Sequence, residues 1–330
     1  MSSPTAVPTD PLVAEGLSLN GLWHASFRSM ASSVRVQLDL PPEDARECHR
    51  RVRTLFTRAD AECTRFDEDS DLMGANAAGE RWWPVGAYCF EALLAARDAH
   101  LESDGWFEPR VLRTLVDLGY SRTLPFADGV DVGERGAVAR PPRGPWEPDF
   151  DLARQLVRVG PEPVDLGGIG KGLALRWAGE ELRAGGCEMY LVDAGGDCIG
   201  GGDGPDGSGW QIGVEDPCGG ELPVAVLRVT DGACATSSTR WLSWRAGDRQ
   251  VHHLIDPRTG LPGGAGLRSV TVLGDDPAEA EVWTKVLFLQ GEADIAAAAE
   301  RRALDALWVR DDGTLGMTAS MRPHVVWRRA

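Results

Sequence analysis

The stretch Val164-Asp165-Leu166-Gly167-Gly168-Ile169-Gly170-Lys171-Gly172 sets the fold. Its apolar start reads as the end of a strand, its glycines as a turn, and the residues beyond Gly172 as a helix to about Gly185. Four glycines within six positions let the backbone approach a ligand closely. The amide hydrogens of a helix start favour an anion, and Lys171 adds a mobile positive charge, so a phosphate suits this spot. The spacing matches neither the G-x-x-x-x-G-K-[ST] phosphate loop nor the G-x-G-x-x-G dinucleotide turn. Taken alone, the stretch is equally a tight turn carrying a surface lysine.

Around this turn, 330 residues supply enough chain for a sizeable core. A hydrophobic content of 43% with 25% charged residues is that of a soluble globular protein. The net charge of -16 disfavours sequence-independent binding to nucleic acid or to an anionic membrane. Any phosphate must therefore be met by local cations. Only two of the 34 basic residues are lysines, Lys171 and Lys285. A compact ammonium is not interchangeable with a guanidinium, so these two positions stand out. Seven scattered cysteines without a C-x-x-C pair are a poor disulfide framework and suggest a reducing, cytoplasmic home. No apolar run is long enough to span a membrane, and the first residues lack the pattern of an export signal.

Residues 1–20, small and polar with three prolines, are expected to be disordered. Alternation over residues 23–40 predicts a half-buried strand. Helices are expected from Pro42 to about Cys63, from about Tyr88 to Glu102, and from Pro277 through Gln290, with a further helix over residues 292–302. The polar run at residues 64–72 predicts a loop, and residues 232–239 are small and polar. Strands are expected at residues 188–192, 210–214, 223–229 and 269–273, and in the last thirty residues. The whole reads as one α+β unit over residues 21–330, with mostly antiparallel sheet flanked by helices.

Three further segments carry chemistry. Asp193-Ala194-Gly195-Gly196-Asp197 puts two carboxylates around a glycine pair, which suits either a ligand loop or a plain strand-ending turn. His252-His253 precedes Asp256, Arg258 and Thr259, a grouping suited to general base work on a hydroxyl beside a phosphate, or to ordinary packing of one histidine. Glu281 and Lys285 share one face of the helix that starts at Pro277. The apolar run Val286-Leu287-Phe288-Leu289 after them implies that this helix is buried, where an unpaired charge is costly.

Taken together, the chain resembles the ApbE flavin transferases, the FAD:protein FMN transferases. Residues 165–172 match that family's D-L-G-G-I-A-K-G, with Gly170 for alanine. Residues 194–197 match A-G-G-D, and Ala235-Thr236-Ser237 match A-T-S. Residues 253–262 match H-I-I-D-P-x-T-G-x-P. Residues 65–72 match R-F-D-x-x-S-x-L, and residues 105–109 match G-x-F-D-P with Glu108 for aspartate. The resemblance implies a two-lobed, T-fold-like unit with FAD in the cleft. It also implies magnesium on the pyrophosphate and attack on the FMN phosphorus by a Thr or Ser hydroxyl of an acceptor protein, with AMP leaving. Carried over residue by residue, Asp165, Gly167, Gly168, Lys171, Gly195, Gly196, Asp197, Ser237, Asp256, Arg258 and Thr259 would hold the flavin nucleotide. His253 would be the base, and Gly170 and Glu281 would belong to the metal site.

One departure bears on the metal. The family's aspartate and threonine, four apart on the helix, fall at Glu281 and Lys285, and Thr284 is turned about 100° away. The expectation is that the Lys285 ammonium, held by Glu281, replaces part of the magnesium charge. The chain would then transfer FMN with less metal dependence, bind FAD without transfer, or carry out a different reaction in the same pocket as part of a specialised pathway, with an acceptor protein or a small molecule as partner.

Overall fold

The computed structural model describes residues 15–18, 20–122, 130–133 and 144–329. Its frame is a nine-stranded antiparallel sheet whose strands lie in chain order. They are Gly16–Leu17 (β1), Trp23–Ser29 (β2), Ser32–Leu38 (β3), Tyr190–Ala194 (β4), Asp197–Gly201 (β5), Gly232–Ser238 (β6), Leu267–Gly274 (β7), Asp305–Arg310 (β8) and Leu315–Met317 (β9). Among the described residues, five helices separate β3 from β4: Pro42–Cys63 (α1), Asp71–Ala78 (α2), Ala87–Glu102 (α3), Leu112–Asp117 (α4) and Gly170–Ala184 (α5). A sixth, Pro277–Arg301 (α6), joins β7 to β8. The expected α+β class, with antiparallel sheet and flanking helices, is the class observed. Most of the expected N-terminal irregular segment, residues 1–14 and 19, lies outside the described residues.

Several local expectations change for physical reasons. The single strand expected over residues 23–40 is a hairpin, β2 and β3, closed by Met30 and Ala31 with φ of 49° and 57°. Both turn residues adopt the left-handed region without the glycine or asparagine that usually announces such a turn. The loop expected at residues 64–72 ends in α2, because the Ser70 Oγ accepts from the Met73 N–H at 3.1 Å and caps the helix. The small, polar run at 232–239 contains β6, a central strand paired on one side with β5 and on the other with β7. Residues 164–166 belong to no strand, although the Asp165 N–H donates to the Pro109 carbonyl at 2.8 Å. The Asn76 side chain also holds them, donating to the Val164 carbonyl and accepting from its N–H at 2.9 and 2.8 Å. The two helices expected between residues 277 and 302 are present as expected, divided at Gly291, where φ of 73° and ψ of 171° are not helical; α6 denotes the pair.

Helices α1, α3 and α5 pack with β2, β3 and β4 around Phe56, Leu93, Leu175 and Val192. On the same sheet, α6 packs over β6 and β7 through Leu287, Phe288 and Ile295. The start of α5 therefore meets the start of α6. Among the described residues no helix is long and apolar enough to cross a membrane, and all seven cysteines are free thiols.

Candidate functional site

The site grows from the contact between α5 and α6. Gly172 lies so close to the first turn of α6 that a Cβ there would stand 2.5 Å from the Ala278 Cα and from the Pro277 carbonyl oxygen. Both are backbone atoms, so nothing flexible can give way. Gly172→Ala is expected to cost about 3 kcal/mol or somewhat more, at the upper end of overpacking. Urea unfolding measures it, and Gly170→Ala is the control, because a Cβ at Gly170 meets nothing within 4 Å.

This close approach delivers an anion to the helix start. The Glu281 carboxylate, 1% exposed, accepts from the Gly172 N–H through Oε2 at 2.7 Å. The sequence predicts an anion at the start of α5, and the chain supplies one itself from α6. The other carboxylate oxygen receives the Lys285 ammonium at 3.1 Å, and the same ammonium donates to the Glu281 main-chain carbonyl at 3.2 Å. Lys285 also runs past the glycine turn, since a Cβ at Gly168 would stand 3.4 Å from its Cδ.

The second lysine is anchored on the sheet. Lys171 pairs with Asp197, whose other oxygen accepts from the Thr236 N–H at 2.8 Å. Burial pulls the Lys171 ammonium down, but the charges of Asp197, Glu281 and Asp193 outweigh it and hold the group above the usual lysine range. Asp193 itself is raised by burial, which Arg35 opposite it on β3 partly offsets. Gly195 and Gly196 form the two-residue turn between β4 and β5, with φ of 70° and 98°, and this turn places Asp197 first on β5.

His253 completes the group. Its Nδ1 lies 3.3 Å from the Leu242 carbonyl, which can only accept, so Nδ1 carries the hydrogen and Nε2 keeps its lone pair. Burial, the neighbouring His252 and the positive charges of Lys285 and Lys171 push this imidazole down to about 3. His252 packs edge-on against Phe288 and is lowered by burial to about 4. The two histidines thus differ: His253 feels the charge of both lysines, whereas His252 sits in the packing against Phe288.

The other predicted residues brace these groups. Asp165 is buried against the Arg65 guanidinium at 2.7 Å and accepts from the Gly167 N–H at 2.6 Å. Arg65 in turn lies 4.2 Å from the Tyr120 ring centre. Ser237 is buried, its hydroxyl 2.7 Å from that of Thr284, which donates onward to the Glu281 carbonyl at 2.7 Å. Asp256 closes a turn by accepting from the Arg258 N–H at 2.9 Å and forks onto the Arg258 guanidinium. That guanidinium lies 3.8 Å from the Trp106 ring centre and ties the turn to the loop that carries Phe107. Thr259 is exposed and its hydroxyl accepts from the Leu261 N–H at 3.2 Å. Three participants escape sequence reasoning: Arg65, Thr236 and the Gly172 N–H. All three lie in motifs, at residues 65–72, 235–237 and 165–172, but the motifs do not say which group each one contacts.

A sequence model of the ApbE family matches residues 30–308. An FAD:protein FMN transferase of Klebsiella pneumoniae (strain 342) is 28% identical over 278 residues, covering 82% of this chain and 85% of that protein. One from Rhodobacter capsulatus is 32% identical over 265 residues, which is 78% of this chain and 49% of that longer protein. The crystal structure of the ApbE protein from Thermotoga maritima shares the fold with a TM-score of 0.77 at 23% identity, over 94% of this chain and all of that one.

Proposed function

Because the chain belongs to the ApbE family, we propose that it is an FAD:protein FMN transferase, moving FMN from FAD to a Thr or Ser hydroxyl of an acceptor protein. The observation that carries this reading is the convergence of Lys171, Lys285 and His253 where α5 meets α6. Two ammonium groups there suit the two phosphates of FAD. A neutral imidazole with a free Nε2 suits the removal of a hydroxyl proton. In the reaction the acceptor oxygen bonds to the FMN phosphorus, and the hydroxyl proton passes to Nε2 of His253. The bond from that phosphorus to the oxygen of AMP breaks, and AMP leaves.

Around this centre, Gly167 and Gly168 would let the backbone approach the phosphates, and Asp197 would orient Lys171. Gly195 and Gly196 would set the wall behind it. Asp165, Ser237, Asp256, Arg258 and Thr259 would keep the pocket in shape. The seven free thiols suit a reducing compartment, so the cytoplasm is the proposed place of action.

Both ammonium groups are already paired with carboxylates, and that favours a second reading, flavin-nucleotide binding without transfer. Incubation with FAD and candidate acceptor proteins, read by in-gel flavin fluorescence and by released AMP, separates the two. A fluorescent acceptor band with matching AMP is the expected result. A purified protein that is yellow with FAD yet yields neither band nor AMP supports binding alone.

A further inference from the structure

The groups around Glu281 speak to whether a metal ion takes part. The resemblance assigns the metal to the neighbourhood of Gly170 and Glu281. Of the Glu281 carboxylate, one oxygen is committed to the Gly172 N–H and the other to the Lys285 ammonium. That same ammonium also donates to the Glu281 main-chain carbonyl. Thr284, the nearest hydroxyl on the helix, is fully buried between Ser237 and the Glu281 carbonyl. Magnesium wants near-octahedral oxygen coordination at about 2.0–2.1 Å and gives up water reluctantly. Among the described residues no three His, Cys, Asp or Glu side chains come together in a way that could hold a metal ion. A divalent ion beside Glu281 would also sit against a fixed ammonium. The residues present do not fit the metal.

They fit an internal cation instead. An ammonium has three hydrogens, and Glu281 takes two of those on Lys285. The third remains for a ligand. The side chain is 15% exposed and lies beside Gly168 of the glycine turn, close enough to His253 to lower its basicity. Lys171, in the first turn of α5, is fixed by Asp197. We propose that Lys285, clamped by Glu281, and Lys171, clamped by Asp197, form a metal-independent site for the diphosphate of a nucleotide. The site rests on the flavin-transferase reading for the identity of that nucleotide, though not for its diphosphate chemistry. Each lysine brings one positive charge on a preset stem, so the phosphates are neutralised without an ion having to be bound first.

The test is calorimetric titration of the purified full chain with ADP and with FAD, each in EDTA and in excess magnesium. The expected result is affinities that differ by less than about twofold between the two conditions, since no metal contact is made or lost. Lys285→Met should weaken ADP binding by about tenfold or more in both conditions, the loss of one charge-assisted contact. Lys285→Arg, which keeps the charge, should retain metal independence. Binding of wild-type chain to ADP and FAD only when magnesium is present overturns the metal-free site and leaves the transferase reading standing. Metal-free binding of ADP without binding of FAD keeps the site and removes the flavin reading. No binding of either nucleotide in either condition overturns both. Titration of the wild-type chain with manganese alone, followed by its electron paramagnetic resonance, should show no tight site. A tight one overturns the proposal whether or not the variants fold.

Discussion

Replacing Glu281 with alanine is expected to destabilise the folded chain by about 3–5 kcal/mol, the range for breaking a buried ion pair by removing one partner. The carboxylate is 1% exposed and serves three groups at once: the Gly172 N–H, the Lys285 ammonium and, at longer range, Lys171. Alanine leaves an ammonium with little water and no counter-charge, and a helix-start N–H with no acceptor. It also opens a gap at the point where α5 and α6 meet. Glutamine separates these effects. Its carbonyl oxygen can still accept from the Gly172 N–H, but the charge is gone, so Glu281→Gln should cost roughly half as much. Thermal unfolding followed by circular dichroism should show a fall in Tm on the order of 10 °C for alanine. A loss below about 1 kcal/mol would mean that Glu281 is not the bridge between the two helices.

That bridge also marks where sequence reasoning stops. Glu281 and Lys285 were legible as partners because helix geometry puts residues four apart on one face. The Gly172 N–H was not, because it lies 109 residues away and only the packing of α5 on α6 brings it there. The same holds for Arg65 on Asp165 and for Thr236 on Asp197, both joined only by the fold. Glycines announced the turn at Gly195-Gly196, but the turn at Met30-Ala31 has the same left-handed backbone with ordinary side chains, so nothing announced it. Strand β6 was hidden for the opposite reason. Its small, polar residues carry no strand pattern, yet they form a central strand with α6 packed across it. Motifs thus single out candidate residues, whereas the partner of each is a property of the tertiary fold.

Replacing His253 with alanine is expected to lower kcat for FMN transfer by about 10²–10⁴-fold, the range for loss of a general base, while FAD affinity changes by less than about tenfold. On the proposed reading the lysines, and not the ring, hold the phosphates. The pH dependence then distinguishes a base from a packing residue. In the free protein, burial, His252 and the charges of Lys285 and Lys171 hold the imidazole down at about 3. Its Nε2 is therefore unprotonated at every pH above about 4, but it is a weak base. A bound diphosphate brings negative charge beside the two lysines and cancels part of their effect, so the pKa must rise on binding. Since kcat/KM reports the free enzyme and kcat the complex, the acid limb of kcat should lie at higher pH than that of kcat/KM. His253→Ala should abolish the acid limb of kcat along with most of the rate. Lys285→Met should shift the acid limb of kcat/KM upward, because one of the charges that suppress the imidazole is gone. An alanine variant that keeps wild-type kcat, or one that keeps the acid limb at a reduced rate, would assign the proton transfer to another group.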